Sequence, residues 1–270
     1  MTRSFFYLLI NSLVFYCAAL SAQTINVAQE PRAQYKRDEY LSTLLSEALA
    51  AANYSATLNY ITVHPHQQRT LITLQNSEID LYWSMTSPER ETLAIAIKIP
   101  LYRGYIGKRA LVTQRALLPQ FKNITTLEQL KSLTAVQGHD WPDTKVLSHN
   151  GLNVRPLANY EAMFGLTAAG RIDYFPRSFI EVSSELKEVN NPELAIVPNI
   201  YLYYPAAFYY FVSKEKPALA NAIQQGLSKM EQSGEFLALF NKYFADDLNV
   251  LPFKEVKAIE LKLANPYFTQ

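Results

Sequence analysis

The sequence is poor in cysteine and glycine, and neither sign of charge dominates it. The single cysteine, Cys17, lies within the first 22 residues, so the rest of the chain cannot form a disulfide. Only 8 of the 270 residues are glycine, and the glycine-rich phosphate loop, the G-x-S-x-G turn and the H-E-x-x-H zinc motif are all missing. The 25 basic and 24 acidic residues leave a formal net charge of +1. That balance provides no cation excess for a nucleic-acid partner.

The composition is that of a globular protein larger than one average domain. Hydrophobic residues make up 49% of the chain and charged residues 18%. This balance can bury a core and carries too little charge for a self-repelling, disordered chain. Because domains average roughly 150 residues, a chain of this length suggests about two lobes.

Residues 1–22 have the pattern of a targeting segment. Arg3 provides a short basic start, an apolar stretch covers 5–20, and small residues close the segment. This pattern predicts an export signal that is cleaved. A transmembrane anchor is the alternative, but about 16 apolar residues fall short of the roughly 20 that span a bilayer. Lipid attachment at Cys17 would need a small residue before it, whereas Tyr16 is bulky.

Helix and strand patterns alternate along the first half of the chain. Residues 39–52 place leucines at three- and four-residue spacing, which predicts an amphipathic helix. Strands are predicted at 55–63 and 79–83, on either side of a second helix at 66–74. A βαβαβ succession favours parallel strands, because their crossover connections are long enough to hold a helix.

A second α/β succession occupies the rest of the chain. Its predicted elements, together with two closing helices, are helices 126–131, 143–150, 160–169, 217–232 and 235–244 and strands 133–136, 153–156 and 172–175. Two passages, about 103–110 and 202–210, join the two halves. We therefore expect lobe 1 to comprise residues 23–105 and 207–270, and lobe 2, inserted into it, to comprise residues 106–206.

Four segments carry a resemblance to a known family. They are IDLYWSMTSPERETLAIAIKIPLY at 79–102, ITTLEQLKSLTAVQGHDW at 124–141, GRIDYFPRS at 170–178 and the closing segment at 208–244. In this order they resemble the extracytoplasmic solute-binding proteins of the polar amino-acid type, family 3. The resemblance implies an α/β, two-lobed periplasmic-binding-protein-like fold of type II. Each lobe is expected to be a mixed, mostly parallel sheet flanked by helices, and the lobes close on a small solute.

The resemblance also implies a location and partners. It places the mature protein in the periplasm after cleavage of the signal peptide, where it delivers its ligand to a membrane permease of an ABC transporter. We expect a monomer that binds a small carboxylate-bearing ligand, acidic or amino-acid-like, without a cofactor and without enzymatic activity. The alternatives are a periplasmic lyase or dehydratase acting on a small acid in the same cleft, and a ligand sensor that docks on a membrane receptor.

Arg90 is the leading candidate for a ligand contact. The resemblance matches it to the family arginine that holds a carboxylate, and the guanidinium fork suits that role. A solvated arginine paired with Glu89 or Glu91 is the alternative. Ser87 matches a family Ser or Thr position, where its hydroxyl either caps the next turn or contacts the ligand. Met85 stands where several amino-acid binders have a hydroxyl, which weakens the expectation of an ordinary amino acid.

Ser178 stands where the family places an aspartate for the ligand's ammonium group. A serine cannot neutralise an ammonium ion, and Arg177 beside it adds positive charge. A ligand with a second acidic group, or one without an α-amino group, therefore fits as well as a standard amino acid. The alternative is that Arg177 points to solvent.

The turn at 137–142 and the two tryptophans complete the candidate site, because the family uses this turn for ligand contact. Asp140 either caps the following helix or replaces the missing ammonium acceptor. His139 lies beside it and is expected to pack or to form hydrogen bonds. Trp141 and Trp83 offer aromatic faces from the two lobes, and core or hinge packing is the alternative for each.

The spacing of His64 and His66 is the only one that suggests a metal pair. An extended backbone at Pro65 is expected to make the two rings diverge, and the mature chain has no cysteine to complete a soft site. We therefore predict two solvated histidines and no metal site.

Overall fold

The computed structural model describes residues 23–30, 36–64 and 66–268, so the predicted export signal lies outside the described residues. The strands are β1 (Gln23–Gln29), β2 (Ala56–Thr62), β3 (Leu81–Met85), β4 (Ile95–Ala96), β5 (Lys108–Gln114), β6 (Thr134–Gly138), β7 (Asn153–Leu157), β8 (Phe175–Ser178), β9 (Leu194–Tyr203), β10 (Phe208–Val212) and β11 (Ile259–Lys262). The helices are α1 (Lys36–Ala51), α2 (Gln67–Gln75), α3 (Pro88–Glu91), α4 (Leu118–Phe121), α5 (Leu127–Leu130), α6 (Pro142–His149), α7 (Tyr160–Ala168), α8 (Val182–Val189), α9 (Pro217–Ser233) and α10 (Glu235–Asn249). None of the described helices combines the length and the apolar character needed to cross a membrane.

The first sheet has the order β2-β1-β3-β10-β4; together with helices α1, α2, α3, α9 and α10 it is called the first half below. Strands β2, β1 and β3 are parallel and are joined through α1 and α2, which confirms the predicted βαβαβ succession. Strand β10 returns late in the chain and pairs antiparallel with both β3 and β4. The first sheet is therefore mixed, and its antiparallel strand β10 follows strands β5 to β9 along the chain.

The second half contains a sheet of order β11-β9-β5-β8 and a parallel β6-β7 pair. A single parallel bridge from Ala135 to Tyr174 connects that pair to the segment just before β8. Strands β5, β8 and β9 pair antiparallel, whereas β11 is parallel to β9. The carboxyl ends of β6 and β8 both lead into loops that face the first half.

Helix α1 forms because its leucines fall on one face and are all buried. Leu41, Leu44 and Leu45 are inaccessible to solvent and pack on the first sheet and on α9. Gly226 of α9 permits this contact, because an added Cβ there would lie 1.8 Å from the carbonyl oxygen of Ala48. Close helix packing thus fixes the position of α1, whose first turn points toward the second half.

Two details differ from the sequence-based expectations. A strand is expected at 172–175, but β8 begins only at Phe175 and ends at Ser178. The carboxylate of Asp173 accepts the N–H of Thr134 at 2.7 Å and holds the residues before β8 in a bend. The second difference concerns the end of the chain.

Residues after α10 leave the first half and return to it. Leu251 and Phe253 pack in the core of the second half, and β11 joins the sheet of that half. Phe268 then packs against the first half, in the cluster beside β3 and β10. The expected assignment of 207–270 to lobe 1 therefore does not describe this segment.

Candidate functional site

A cavity of about 280 Å³ lies between the two halves. Both halves supply charged side chains to its lining. The first half contributes Glu30 and Arg37 at the start of the chain, and the second contributes Arg109, Arg177 and Glu181. Such a space between two lobes is a common location for a small-molecule site.

Ser87 and Arg90 are positioned by the short helix α3. The Ser87 hydroxyl accepts the backbone N–H of Arg90 at 3.3 Å, which caps the helix, and Pro88 fills its first turn. The cap turns the Arg90 side chain inward, where only 2% of the residue is exposed. The alternative of a solvated Arg90 is therefore wrong.

The Arg90 guanidinium forms hydrogen bonds only with neutral oxygens. Its Nη1 donates to the Ser84 hydroxyl at 2.6 Å, to the Met85 carbonyl at 2.9 Å and to the Gln67 amide oxygen at 3.0 Å. Its Nη2 donates to the Asp140 carbonyl at 2.9 Å, across the boundary between the halves. Burial lowers the pKa of Arg90, and more distant acidic groups oppose that effect only in part. Among the described residues, no carboxylate lies within salt-bridge distance of this cation.

A second cavity of about 340 Å³ borders the first. Ser87, Arg90 and His139 line the second cavity, while Met85 and Arg177 line the first. The turn formed by Asp140 and Trp141 lines both cavities. The structure thus distributes seven of the nine predicted site residues over two adjoining spaces.

Asp140 links the halves and does not cap α6. Its backbone carbonyl accepts a hydrogen bond from Nη2 of Arg90, and its carboxylate accepts one from the backbone N–H of Gln68 at 3.2 Å. The helix begins instead from Trp141, without a side-chain cap. The capping alternative for Asp140 is therefore wrong.

Trp83 and Ser178 line neither cavity. Trp83 is 7% exposed and meets the ring of Tyr210 edge-on, so it packs in the core. The Ser178 hydroxyl donates to the carbonyl of Tyr105 at 3.0 Å and is buried. In the structure both side chains hold the fold together around the cleft.

Arg177 is buried and neutralised, so the alternative that it points to solvent is also wrong. Its Nε and Nη2 donate to the two carboxylate oxygens of Glu185 at 2.7 and 2.5 Å. The guanidinium also lies 5.2 Å from the ring centroid of Trp141 and 5.0 Å from that of Phe175. This arrangement combines a bidentate ion pair with cation-π contact.

Three arginines converge on the carboxylate of Glu181. Arg37 donates to its Oε1, while Nη2 of Arg177 and Nη1 of Arg109 lie 3.0 and 3.6 Å from its Oε2. Burial alone would raise the pKa of Glu181, but attraction to these three cations outweighs it and holds the pKa well below its ordinary value. Glu181 is therefore ionised throughout the neutral range.

Arg109 also forms an ion pair with Asp143, the second carboxylate of this group. The Asp143 carboxylate accepts Nη2 of Arg109 and the hydroxyl of Tyr204. Arg109, Asp143 and Tyr204 are all buried. Arg37, Arg109 and Arg177 therefore each have an acidic partner within the protein, whereas Arg90 has none among the described residues.

Sequence reasoning missed Arg37, Arg109, Asp143 and Glu181. One available signal was Arg109, a charge directly before the apolar residues 110–112 of β5, since a charge buried with them requires a partner. Nothing local marks Glu181, which follows the β8 strand and meets Arg37 only through the fold.

The histidines also depart from expectation. The rings of His64 and His66 lie 4.5 Å apart, and the backbone N–H of His66 donates to Nδ1 of His64. The prediction that these rings diverge is wrong. His139 reaches them from the other half, 4.6 Å from His66. In the described part of the chain, no group of three or more His, Cys, Asp or Glu residues could hold a metal ion.

Comparisons with known proteins agree with this architecture. The model of the bacterial extracellular solute-binding proteins, family 3, matches residues 37–246. An ancestral arginine-binding protein solved with arginine is 19% identical, with a TM-score of 0.60 over 82% of this chain and 98% of its own. An arginine-specific periplasmic binding protein from Salmonella typhimurium is 17% identical, with a TM-score of 0.61 over 83% and 100%.

A third solved structure comes from a lineage that leads to an enzyme. It is an ancestral amino acid-binding protein described as a precursor of cyclohexadienyl dehydratase, 16% identical, with a TM-score of 0.61 over 82% of this chain and 95% of its own. No curated protein sequence matches this chain. At these identities the three structures establish the fold.

Proposed function

The chain belongs to the bacterial extracellular solute-binding proteins of family 3, and from that membership we propose that it closes on a small carboxylate-bearing ligand, acidic or amino-acid-like. The ligand lies in the space between the two halves. Both halves contribute charged and aromatic side chains there, and closure of such a cleft excludes water from the ligand.

Arg90 is the observation on which the proposal rests most directly. A guanidinium removed from water and surrounded by neutral oxygens is costly to bury. A ligand carboxylate would supply the missing countercharge through two parallel hydrogen bonds. Ligand binding and closure would then stabilise the same cation.

The proposal includes a location and a membrane partner. The pattern of residues 1–22 favours export, and the family is extracellular, so the mature protein would work in the periplasm. There it would act as a monomer and pass its ligand to the permease of an ABC transporter. A membrane receptor in place of the permease would use the same closed form.

A lyase or dehydratase acting on a small acid is the second candidate function, favoured by the third structural relative. Such chemistry would use a cleft carboxylate. The arginines around Glu181 keep it ionised and lower its proton affinity, so it would be a poor proton donor and also a weak base. Recovery of each tested ligand unchanged after prolonged incubation would refute this alternative.

Thermal unfolding in the presence of candidate ligands tests the proposed function. The panel should contain amino acids, dicarboxylates and related small acids, each with its neutral amide analogue. A ligand present at a hundred times its dissociation constant adds about 2.7 kcal/mol to the free energy of unfolding. The absence of any saturable shift, together with no small molecule in the purified protein by mass spectrometry, would refute solute binding in this cleft.

A further inference from the structure

The Glu181 carboxylate occupies the position where three arginines from different elements meet. Arg37 comes from the first turn of α1, Arg109 from β5 and Arg177 from β8. All three arginines and Glu181 line the cavity between the halves. Arg109, Arg177 and Glu181 are at most 4% exposed, and the Arg37 side chain is 14% exposed. The convergence is therefore part of the enclosed cleft.

Hydrogen-bond donors exceed acceptors at this point. The Nε atoms of Arg37 and Arg109 and the hydroxyl of Tyr102 are buried and find no hydrogen-bond partner among the residues that the structure describes. The Asp38 carboxylate lies 3.8 Å from Nε of Arg37, which is beyond hydrogen-bond distance. Each guanidinium carries five N–H donors, and although Glu185 and Asp143 take some of those of Arg177 and Arg109, these two Nε donors and the Tyr102 hydroxyl are left over. An additional or better-placed oxyanion would satisfy more of these donors than Glu181 does.

Few contacts other than ion pairs hold the Glu181 side chain. The residue lies between β8 and α8, and its side chain forms no helix cap. Among the described residues, its only other hydrogen bond is from the backbone N–H of Ser178, at 3.2 Å. Arg37 belongs to the first half and Glu181 to the second, so separation of the halves breaks their bond and leaves Arg37 free for another anion.

We propose that Glu181 is a built-in carboxylate that occupies an anion subsite formed by Arg37, Arg109 and Arg177, and that an acidic group of the ligand replaces it there. The inference rests on the proposed function and deepens it, because Arg90 would hold one carboxylate and this subsite a second. The ligand class is then a small dicarboxylate or an acidic amino acid.

Two matched substitutions test the subsite. Glu181→Gln removes the competing charge shared by three arginines, whereas Asp80→Asn removes a buried carboxylate that accepts the backbone N–H of Asn26 and lines neither cavity. The probes are succinate and L-glutamate, each compared with its amide, succinamide or L-glutamine, by calorimetry and thermal unfolding. Wild type should prefer each acid to its amide. Glu181→Gln should bind the acids at least about tenfold more tightly than wild type, a factor that corresponds to about 1.4 kcal/mol. Asp80→Asn should not.

A second substitution keeps the test valid if Glu181→Gln fails to fold. Glu181→Asp keeps the charge that compensates the arginines but withdraws it by one methylene, so it should also bind the acids more tightly, by a smaller factor. Weaker binding of the acids by both Glu181 variants would overturn the proposal and indicate that Glu181 receives the cationic group of the ligand. Preference of wild type for the amides would overturn it as well. If wild type binds nothing but Glu181→Gln binds succinate, the subsite stands and the proposed function fails.

Discussion

Replacement of Arg90 should separate its part in ligand binding from its part in folding. Arg90→Met removes the charge and all four hydrogen bonds made by the guanidinium, to Gln67, Ser84, Met85 and Asp140. A ligand carboxylate would then be buried without its partner, which costs about 2–5 kcal/mol of affinity. At about 1.4 kcal/mol per factor of ten, this cost raises the dissociation constant by a factor between roughly 30 and several thousand.

Folding stability should change much less than affinity. Hydrogen bonds from a charged donor contribute about 1.5–3 kcal/mol each, but removal of Arg90 also relieves the burial of a cation whose pKa is lowered by desolvation. We therefore expect a net loss of no more than about 2 kcal/mol in urea unfolding, since the two effects oppose each other.

Calorimetric titration with a panel compound that stabilises the wild type is the appropriate assay. Arg90→Lys keeps the charge but loses the planar fork, so it should fall between wild type and Arg90→Met. Arg171→Met is the matched control, because Arg171 is exposed in the loop that follows α7. A folded Arg90→Met protein with wild-type affinity would refute the assignment of Arg90 to the ligand carboxylate.

Three further predictions concern stability and can be measured by urea unfolding. Gly226→Ala should lower the free energy of unfolding by about 1–3 kcal/mol, because its Cβ would collide with the Ala48 carbonyl. Gly165→Ala, at an open helical position, should instead raise the free energy of unfolding by roughly 0.5–1 kcal/mol. Equal effects of the two substitutions would contradict the packing argument. Ser87→Ala should cost about 1 kcal/mol through the lost cap, and Ser87→Asp should restore it if capping is the cause. The lowered pKa of Glu181 stabilises the fold above the ordinary carboxyl pKa of 4.5, and this contribution is lost as the pH falls below that value; Glu181→Gln should flatten that acid limb, and an unchanged limb would refute the linkage.

Local periodicity was sufficient to predict much of the fold. The leucine spacing in 39–52 corresponds to α1, and the alternating residues of 55–63 correspond to β2. Both patterns depend on which face of a single element is buried, so a short window of sequence records them. The inward-facing Arg90 also followed from the resemblance, because its segment matches that of the family.

The electrostatics of the cleft could not be predicted in the same way. Arg177 suggested unused positive charge, yet Glu185 lies one turn into the next helix and neutralises it. Arg37 and Glu181 are 144 residues apart and meet only because the second half folds back over α1. The sign and strength of a buried charge depend on such tertiary partners, which residue spacing does not record.

The path of the last residues limits how the two halves can part. The family match ends at residue 246, and after it Phe253 packs in the core of the second half. Asn150 and Ala264 then share two hydrogen bonds, at 2.8 and 2.9 Å. Phe268 finally packs against the first half. A wide separation of the two halves would have to detach this C-terminal segment from one of them. The C-terminal segment therefore favours the arrangement seen here, and its contacts would add to the free energy needed to open the proposed cleft.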